Sequence, residues 1–157
     1  MAQQFAAFPV QDDLITDTRK LTMAWIQWFT TLTQTVSQAP AQAALVSLTA
    51  QNDAISTTAA AVSVSAGLYR VTVYARITTP DAISNSLTIT IGWTDGGITC
   101  SFSGAAMTGI LPSTVQSFTF LVQADGATSV TYATAYASNT PNAMVYALSV
   151  LVEEINP

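Results

Sequence analysis

The chain reads as a mainly β protein: an N-terminal arm and helix, then an antiparallel β-sandwich of eight strands in a jelly-roll arrangement. Three observations predict this. Apolar residues recur at steps of three and four before Pro40, and at every second residue after it. About eight alternating segments then follow at spacings of 10–15 residues with no helical stretch between them, which is the pattern of a sandwich or barrel. Hydrophobic residues make up 50% of the 157 positions while charged residues make up only 8%. Ordinary soluble domains carry roughly 25% charge, and disordered chains are poor in aliphatic residues, so this composition fits a folded protein that lives against neighbours.

Taken in order, residues 1–13 form an extended arm, with Phe5, Phe8 and Pro9 lacking any period. Leu14, Leu21, Trp25, Trp28, Leu32 and Val36 then mark one helical face, widened by Ile15, Ile26 and Phe29. The spacing predicts a helix over 17–37, capped by Thr16 or Asp17 and stopped by Pro40. "QAPAQA" is read as a flexible linker, which divides the chain into residues 1–40 and a sandwich domain over 41–157.

"AALVSLTA" and "ISTTAAAVSVS" supply two weaker strands. In "GLYRVTVYARIT", Tyr69, Val71, Val73, Ala75 and Ile77 share one face while Arg70, Thr72, Tyr74, Arg76 and Thr78 take the other. "SLTITIGW" turns Leu87, Ile89, Ile91 and Trp93 inward. "TDGG" is a hairpin turn, because Asp-Gly and Gly-Gly tolerate positive φ, and "ITCSFSG" returns from it. "VQSFTFLVQ" ends in a second turn at Asp125-Gly126; "SVTYATAY", a loop over 138–142 and "MVYALSVLVEEI" complete the set. The last strand is apolar on both faces: Tyr146, Leu148, Val150 and Val152 on one, Val145, Ala147 and Leu151 on the other with only Ser149 polar. The first face suits the core, and the second suits a subunit interface or a cover by the N-terminal segment. Tyr74, outward on its strand, suits an interface as well, since tyrosine is enriched there.

The residues that carry chemistry are sparse. There is no histidine, so no Ser-His or Cys-His pair exists. Cys100 sits in a strand pattern as a small buried or half-buried thiol, and a single cysteine makes no intrachain disulfide. Glu153 and Glu154 are adjacent on a strand and point to opposite faces, so they form no acid/base pair; they solvate a strand end, or bridge to Arg70 or Arg76 of another subunit. Asp95 and Asp125 are turn residues, and Asp12 and Asp13 complement the helix. No Asp-rich loop offers a calcium site, and "TDGGIT" lacks the lysine and helix of a phosphate loop. The expectation is a non-enzymatic protein with no cofactor and no metal.

The net charge of −5, with four basic residues, argues against nucleic acid. The N-terminus lacks the basic start and apolar run of a signal peptide. The Thr and Gln of "MAWIQWFTTLTQT" interrupt any membrane span, and its polar face lacks the cations of an interfacial helix. Leu21, Trp25, Trp28 and Leu32 follow a 4-3-4 step that, with Phe29, predicts a docking or self-association surface buried against another chain. A glycan-binding surface is the reading from another class, and it requires some of Tyr74, Tyr132 and Tyr136 to be exposed in a groove; Trp93 lies on the inward register.

The runs "GLYRVTVYARITTPDAISNSLTITIGWTDGG", "AAMTG", "TYATAYAS" and "MVYALSVLVEEI", together with the head "DTRKLTMAWIQWF", resemble small structural proteins encoded among the virion genes of tailed bacteriophages. The resemblance implies a virion protein of fibre, spike or decoration type, as a homo-oligomer. The expectation is therefore a homotrimer that packs through Tyr74, Val145, Ala147 and Leu151 and attaches to neck, tail or capsid proteins through residues 1–38. The alternatives are a capsid decoration protein, or a module that attaches to host-surface glycan.

Overall fold

A computed structural model of the chain describes residues 22–36 and 40–155. The chain divides into two compact units, Met1–Ala39 and Pro40–Pro157.

In the first unit, helix α1 spans Met23–Val36. It starts later than position 17 because Thr22 is already non-helical and its carbonyl accepts the first helical bond, from Ile26 N–H at 3.0 Å. Thr22 therefore holds the cap position, and Thr16 and Asp17 lie outside the described residues. The threonines are accommodated by bonding back to the preceding turn: Thr30 Oγ1 donates to Ile26 O at 2.8 Å and Thr31 Oγ1 to Gln27 O at 2.9 Å.

The second unit contains β1 (Ala41–Gln51), β2 (Thr58–Val64), β3 (Gly67–Thr79), β4 (Asn85–Asp95), β5 (Ile98–Ser103), β6 (Val115–Ala124), β7 (Thr128–Ser138) and β8 (Val145–Glu154). β1 already starts at Ala41, so the second half of "QAPAQA" is strand rather than linker. The antiparallel pairs β1–β8, β2–β7, β3–β6 and β4–β5 show that the first four strands run against the last four in reverse order, as one long doubled ribbon. Rolling that ribbon up sets β8 beside β3 and β7 beside β4. The result is two four-stranded sheets, β1-β8-β3-β6 and β2-β7-β4-β5, which is the jelly-roll sandwich.

Strand alternation fills the space between the sheets. Tyr69, Val71, Val73, Ala75 and Ile77 of β3 and Tyr146, Leu148, Val150 and Val152 of β8 face Leu87, Ile89 and Ile91 of β4 and Val130 and Tyr132 of β7, all buried. The polar groups around Thr134 and Tyr146 are paired. Ile55 N–H donates to Thr134 Oγ1 at 2.8 Å, and Tyr146 O–H donates to Asp53 O at 2.9 Å. The Thr134–Tyr146 contact of 2.9 Å between them must then run from the threonine hydroxyl to the tyrosine oxygen, since the tyrosine proton is already used. This chain of bonds fastens the β1–β2 connection to the core.

The two glycine turns do more than reverse the chain. Gly96 and Gly97 have φ of 57° and 76°, as a two-residue hairpin loop of this twist requires. Their N–H groups donate to the Asp125 carboxylate at 3.0 and 2.8 Å, and Asp125 N–H donates to Thr94 O at 2.9 Å. The β4–β5 and β6–β7 turns are thereby locked together.

At the opposite end of the strands, Asp81 does the same for loops. Its carboxylate accepts from Ile83 N–H at 2.8 Å, Thr140 N–H at 2.6 Å and Ser138 O–H at 2.8 Å. Its own N–H donates to Asn85 Oδ1 at 2.6 Å, and Asn85 Nδ2 donates to Gly109 O at 3.0 Å. The Thr140 and Ile83 amides hold the carboxyl at about 2, below its ordinary 3.8. Because the folded pKa is depressed, the stability that the charge contributes is full above about pH 4 and is lost as pH falls through about 2. Asp81→Asn is therefore expected to lower the thermal midpoint at pH 7 by a few degrees, on the order of 5 °C. The gap from wild type should close as the pH falls from 4 to 2; melts followed by circular dichroism at both ends of that range test it.

Candidate assembly surface

The outer face of the β1-β8-β3-β6 sheet carries the sandwich residues singled out from the sequence. β8 is central in that sheet, so its outward side chains meet neighbours on both sides. Leu151 lies between Leu45 of β1 and Thr72 of β3. Ser149 lies between Ser47 and Tyr74, and Ala147 beside Arg76. Val145 pairs with Thr79 near the strand start. Val145, Ala147 and Leu151 are half-buried, and Tyr74 is 46% exposed.

Three further apolar residues lie on the same face. Leu45 is 55% exposed beside Leu151, and Leu121 and Val115, on β6, are 57% and 54% exposed beside Arg70 and Arg76. Sequence reasoning missed them. Leu45 was visible as a break in alternation, since it precedes the inward Val46, but its place beside Leu151 depends on the β1–β8 register.

The charges on this face are few and partly neutralised. Arg70 Nε lies 2.9 Å from Glu153 Oε2, its cross-strand partner, and that hydrogen bond raises the guanidinium pKa further. Of the two roles read for Glu153, solvating a strand end or bridging to another subunit, neither is what the single chain shows first: the pair with Arg70 forms within one chain, because the β3–β8 register sets the two residues opposite each other. Glu154 falls on the other side of the strand, where its charge, after burial, helps to raise the Tyr69 phenol.

On the second sheet, the outward residues of β4, β5 and β7 are uncharged and small, Thr88 and Thr90, Ser101 and Ser103, and Ala133 and Ala135, while Val62 of the edge strand β2 is 76% exposed. The tyrosines of β7 point the other way. Tyr132 is buried, and Tyr136 packs against the core with its hydroxyl donating to Met144 O at 2.8 Å. Of the three tyrosines, some of which a glycan groove requires to be exposed, Tyr74 is exposed and the other two are not.

Where the sandwich opens between β5 and β6, aromatic rings fill the gap. Phe102 lies 5.4 Å from Phe118 and 4.8 Å from Phe120, and Trp93 lies 5.9 Å from Phe120. Trp93 is half-buried on the inward register as expected, and Phe102 remains 42% exposed. Cys100 is half-buried on the same strand, its thiol 3.6 Å from Ile98 O.

On α1, Trp25, Trp28 and Phe29 form one aromatic group, with centroids 5.7 Å apart for Trp25–Trp28 and 5.1 Å for Trp28–Phe29. Both tryptophans are half-buried, and Phe29 and Leu32 are exposed. Leu21 lies outside the described residues. No helix among the described residues is long and apolar enough to cross a membrane, and no three Cys, Asp or Glu gather there as metal ligands.

No protein-family model matches the chain, and no curated protein matches it. Among solved structures, the CBM22-1 xylan-binding domain of Paenibacillus barcinonensis Xyn10C is similar at 14% identity and a TM-score of 0.43, over 72% of this chain and 73% of that one. The VP2 subviral particle protein of infectious bursal disease virus is similar at 13% identity and a TM-score of 0.41, over 73% of this chain but only 31% of its own. The CBM22-1–GH10 modules of Clostridium thermocellum xylanase 10B are similar at 8% identity and a TM-score of 0.39, over 73% of this chain and 28% of theirs.

Proposed function

We propose that the protein is a non-enzymatic structural component of a tailed-phage virion, of short fibre or spike type. It self-associates through the outer face of the β1-β8-β3-β6 sheet, as a trimer, and is held to the particle by residues 1–38. The observation that carries this reading is the apolar outer face of a central strand: Leu151, Ala147 and Val145, flanked by Leu45 and Tyr74, on a sheet whose inner face already holds the core. Apolar area buried there contributes about 25 cal/mol per Å², and repetition about an axis multiplies weak anchoring contacts. The resemblance of the sequence to phage virion proteins supports the location, and the aromatic group on α1 supports the anchor.

Deletion of residues 1–38 tests the anchor. The sandwich core draws on residues from β1 onward, so the truncated chain is expected to keep its strand signal and cooperative melt. It should be missing from purified particles. A truncated chain that cannot fold, or one that joins the particle at the full-length level, contradicts the reading. Counting copies per particle by quantitative mass spectrometry then separates a fibre, with few copies at a unique site, from a decoration protein spread over the shell.

A further inference from the structure

We propose that β6 is a self-pairing edge. Two copies of the chain join antiparallel along Val115–Ala124 about a twofold axis at Thr119, so that their β1-β8-β3-β6 sheets run on into one another. The inference deepens the self-associating reading above and rests on it: the face builds the trimer, and this seam joins trimers in pairs.

Four strands stand at sheet edges, and three carry devices that discourage pairing. β1 and β2 are each broken by two register shifts, with Ala50 and Ser63 at positive φ. β5 has only six residues. β6 is ten residues long and pairs with β3 without a break, from Gly67–Ala124 to Arg76–Val115. Its sequence, VQSFTFLVQA, contains no charge and no proline.

The register also tells which amides are turned outward. Ile77 N–H donates to Thr114 O at 2.9 Å, one step beyond the Arg76–Val115 pair. Antiparallel alternation then directs the backbone of Gln116, Phe118, Phe120 and Val122 to β3, and that of Val115, Ser117, Thr119, Leu121 and Gln123 away from it.

A second copy is the occupant this edge fits. A twofold at Thr119 sets Phe118 beside Phe120 of the second copy and Ser117 beside its Leu121. The half-exposed rings of Phe102, Phe118 and Phe120 in each copy would merge into one cluster. Pairing about a twofold sets Thr119 beside its own equivalent and the residues next to it close to theirs, so a charge at the centre of the strand would meet its like. β6 has none, which removes the main cost of self-pairing.

The test uses the full-length chain with Cys100→Ser and Thr119→Cys. Hydrogen-bonded antiparallel partners have Cα atoms about 5.5 Å apart, within disulfide reach. Mild oxidation is expected to convert most of the protein to linked dimers on a denaturing gel. Val115→Cys in the same background should stay unlinked, because its equivalent sits opposite Gln123, roughly 27 Å along the strand. Thr119→Lys, at an exposed position, should weaken the seam at least tenfold with an unchanged strand signal. Absence of the Thr119→Cys link in a protein that still self-associates, or equal linking at both positions, overturns the seam and leaves the trimer standing. Linked dimers without species of three copies keep the seam and remove the trimer. A chain monomeric at every concentration overturns both.

Discussion

Glutamate at position 151 is expected to leave a folded protein that no longer self-associates through its sheet face. Leu151 points away from the core on a central strand, and its neighbours on that face are Leu45, Thr72 and the Ser149 and Glu153 of its own strand. An outward substitution of this kind changes the stability of the single chain little, by about 0.5 kcal/mol or less for most surface sites. In the assembly the same carboxylate would be buried against apolar groups of another copy. The cation nearest to it in register, Arg70, is already held by Glu153 at 2.9 Å. An uncompensated buried charge costs about 3 kcal/mol or more, equivalent to weakening each contact by roughly a hundredfold or more. Sedimentation velocity across a concentration series, with circular dichroism as the check on folding, measures it. An unchanged oligomer would mean that this face is not the interface.

Ile89→Ala should do the reverse. Ile89 is fully buried on β4 between Leu87 and Ile91, facing the other sheet. Truncation removes its apolar contacts and leaves a cavity that the paired strands cannot collapse into, at a cost of about 2–5 kcal/mol. That is a large part of the stability of a domain this size. Chemical denaturation should show a lower midpoint with an unchanged slope, while any folded protein keeps the wild-type association. The two substitutions separate the two faces of the sandwich: the inner holds the chain together, and the outer holds copies together.

The strands were legible because each has a buried face and an open one, so that Val71, Val73, Leu87 and Ile89 alternate with Thr72, Thr88 and Thr90. The Gly96-Gly97 turn was legible because glycine takes positive φ without strain, whereas in the Asp125-Gly126 turn it is Ala127, at φ of 60°, that takes it. The sheet order was not, since β8 meets β3 and β7 meets β4 only once the ribbon is rolled. The helix start was misplaced because Leu14, Ile15 and Leu21 continue a helical spacing that Thr22 interrupts. The tyrosines of β7 share parity with Val130 and so face inward, but Thr134 between them disguised that face as polar; its hydroxyl is satisfied by Tyr146 and Ile55.

Asp81 escaped the sequence reading altogether. A Pro-Asp pair after a strand signals a turn, yet its carboxylate serves amides and hydroxyls 57 and 59 positions away. Asp125 was read as a turn residue, and its service to another turn, 28 and 29 positions back, was invisible for the same reason. On the candidate surface, the apolar outer side of β8 was readable from its sequence. Its company of Leu45, Leu121 and Val115 was not, because three strands distant in sequence bring it together.

The mass of the full-length chain in solution tests the central claim most directly. Light scattering on purified protein at micromolar concentration should give three copies, or a multiple of three, in a single species. A stable monomer through that range would contradict the claim that this protein is built to assemble.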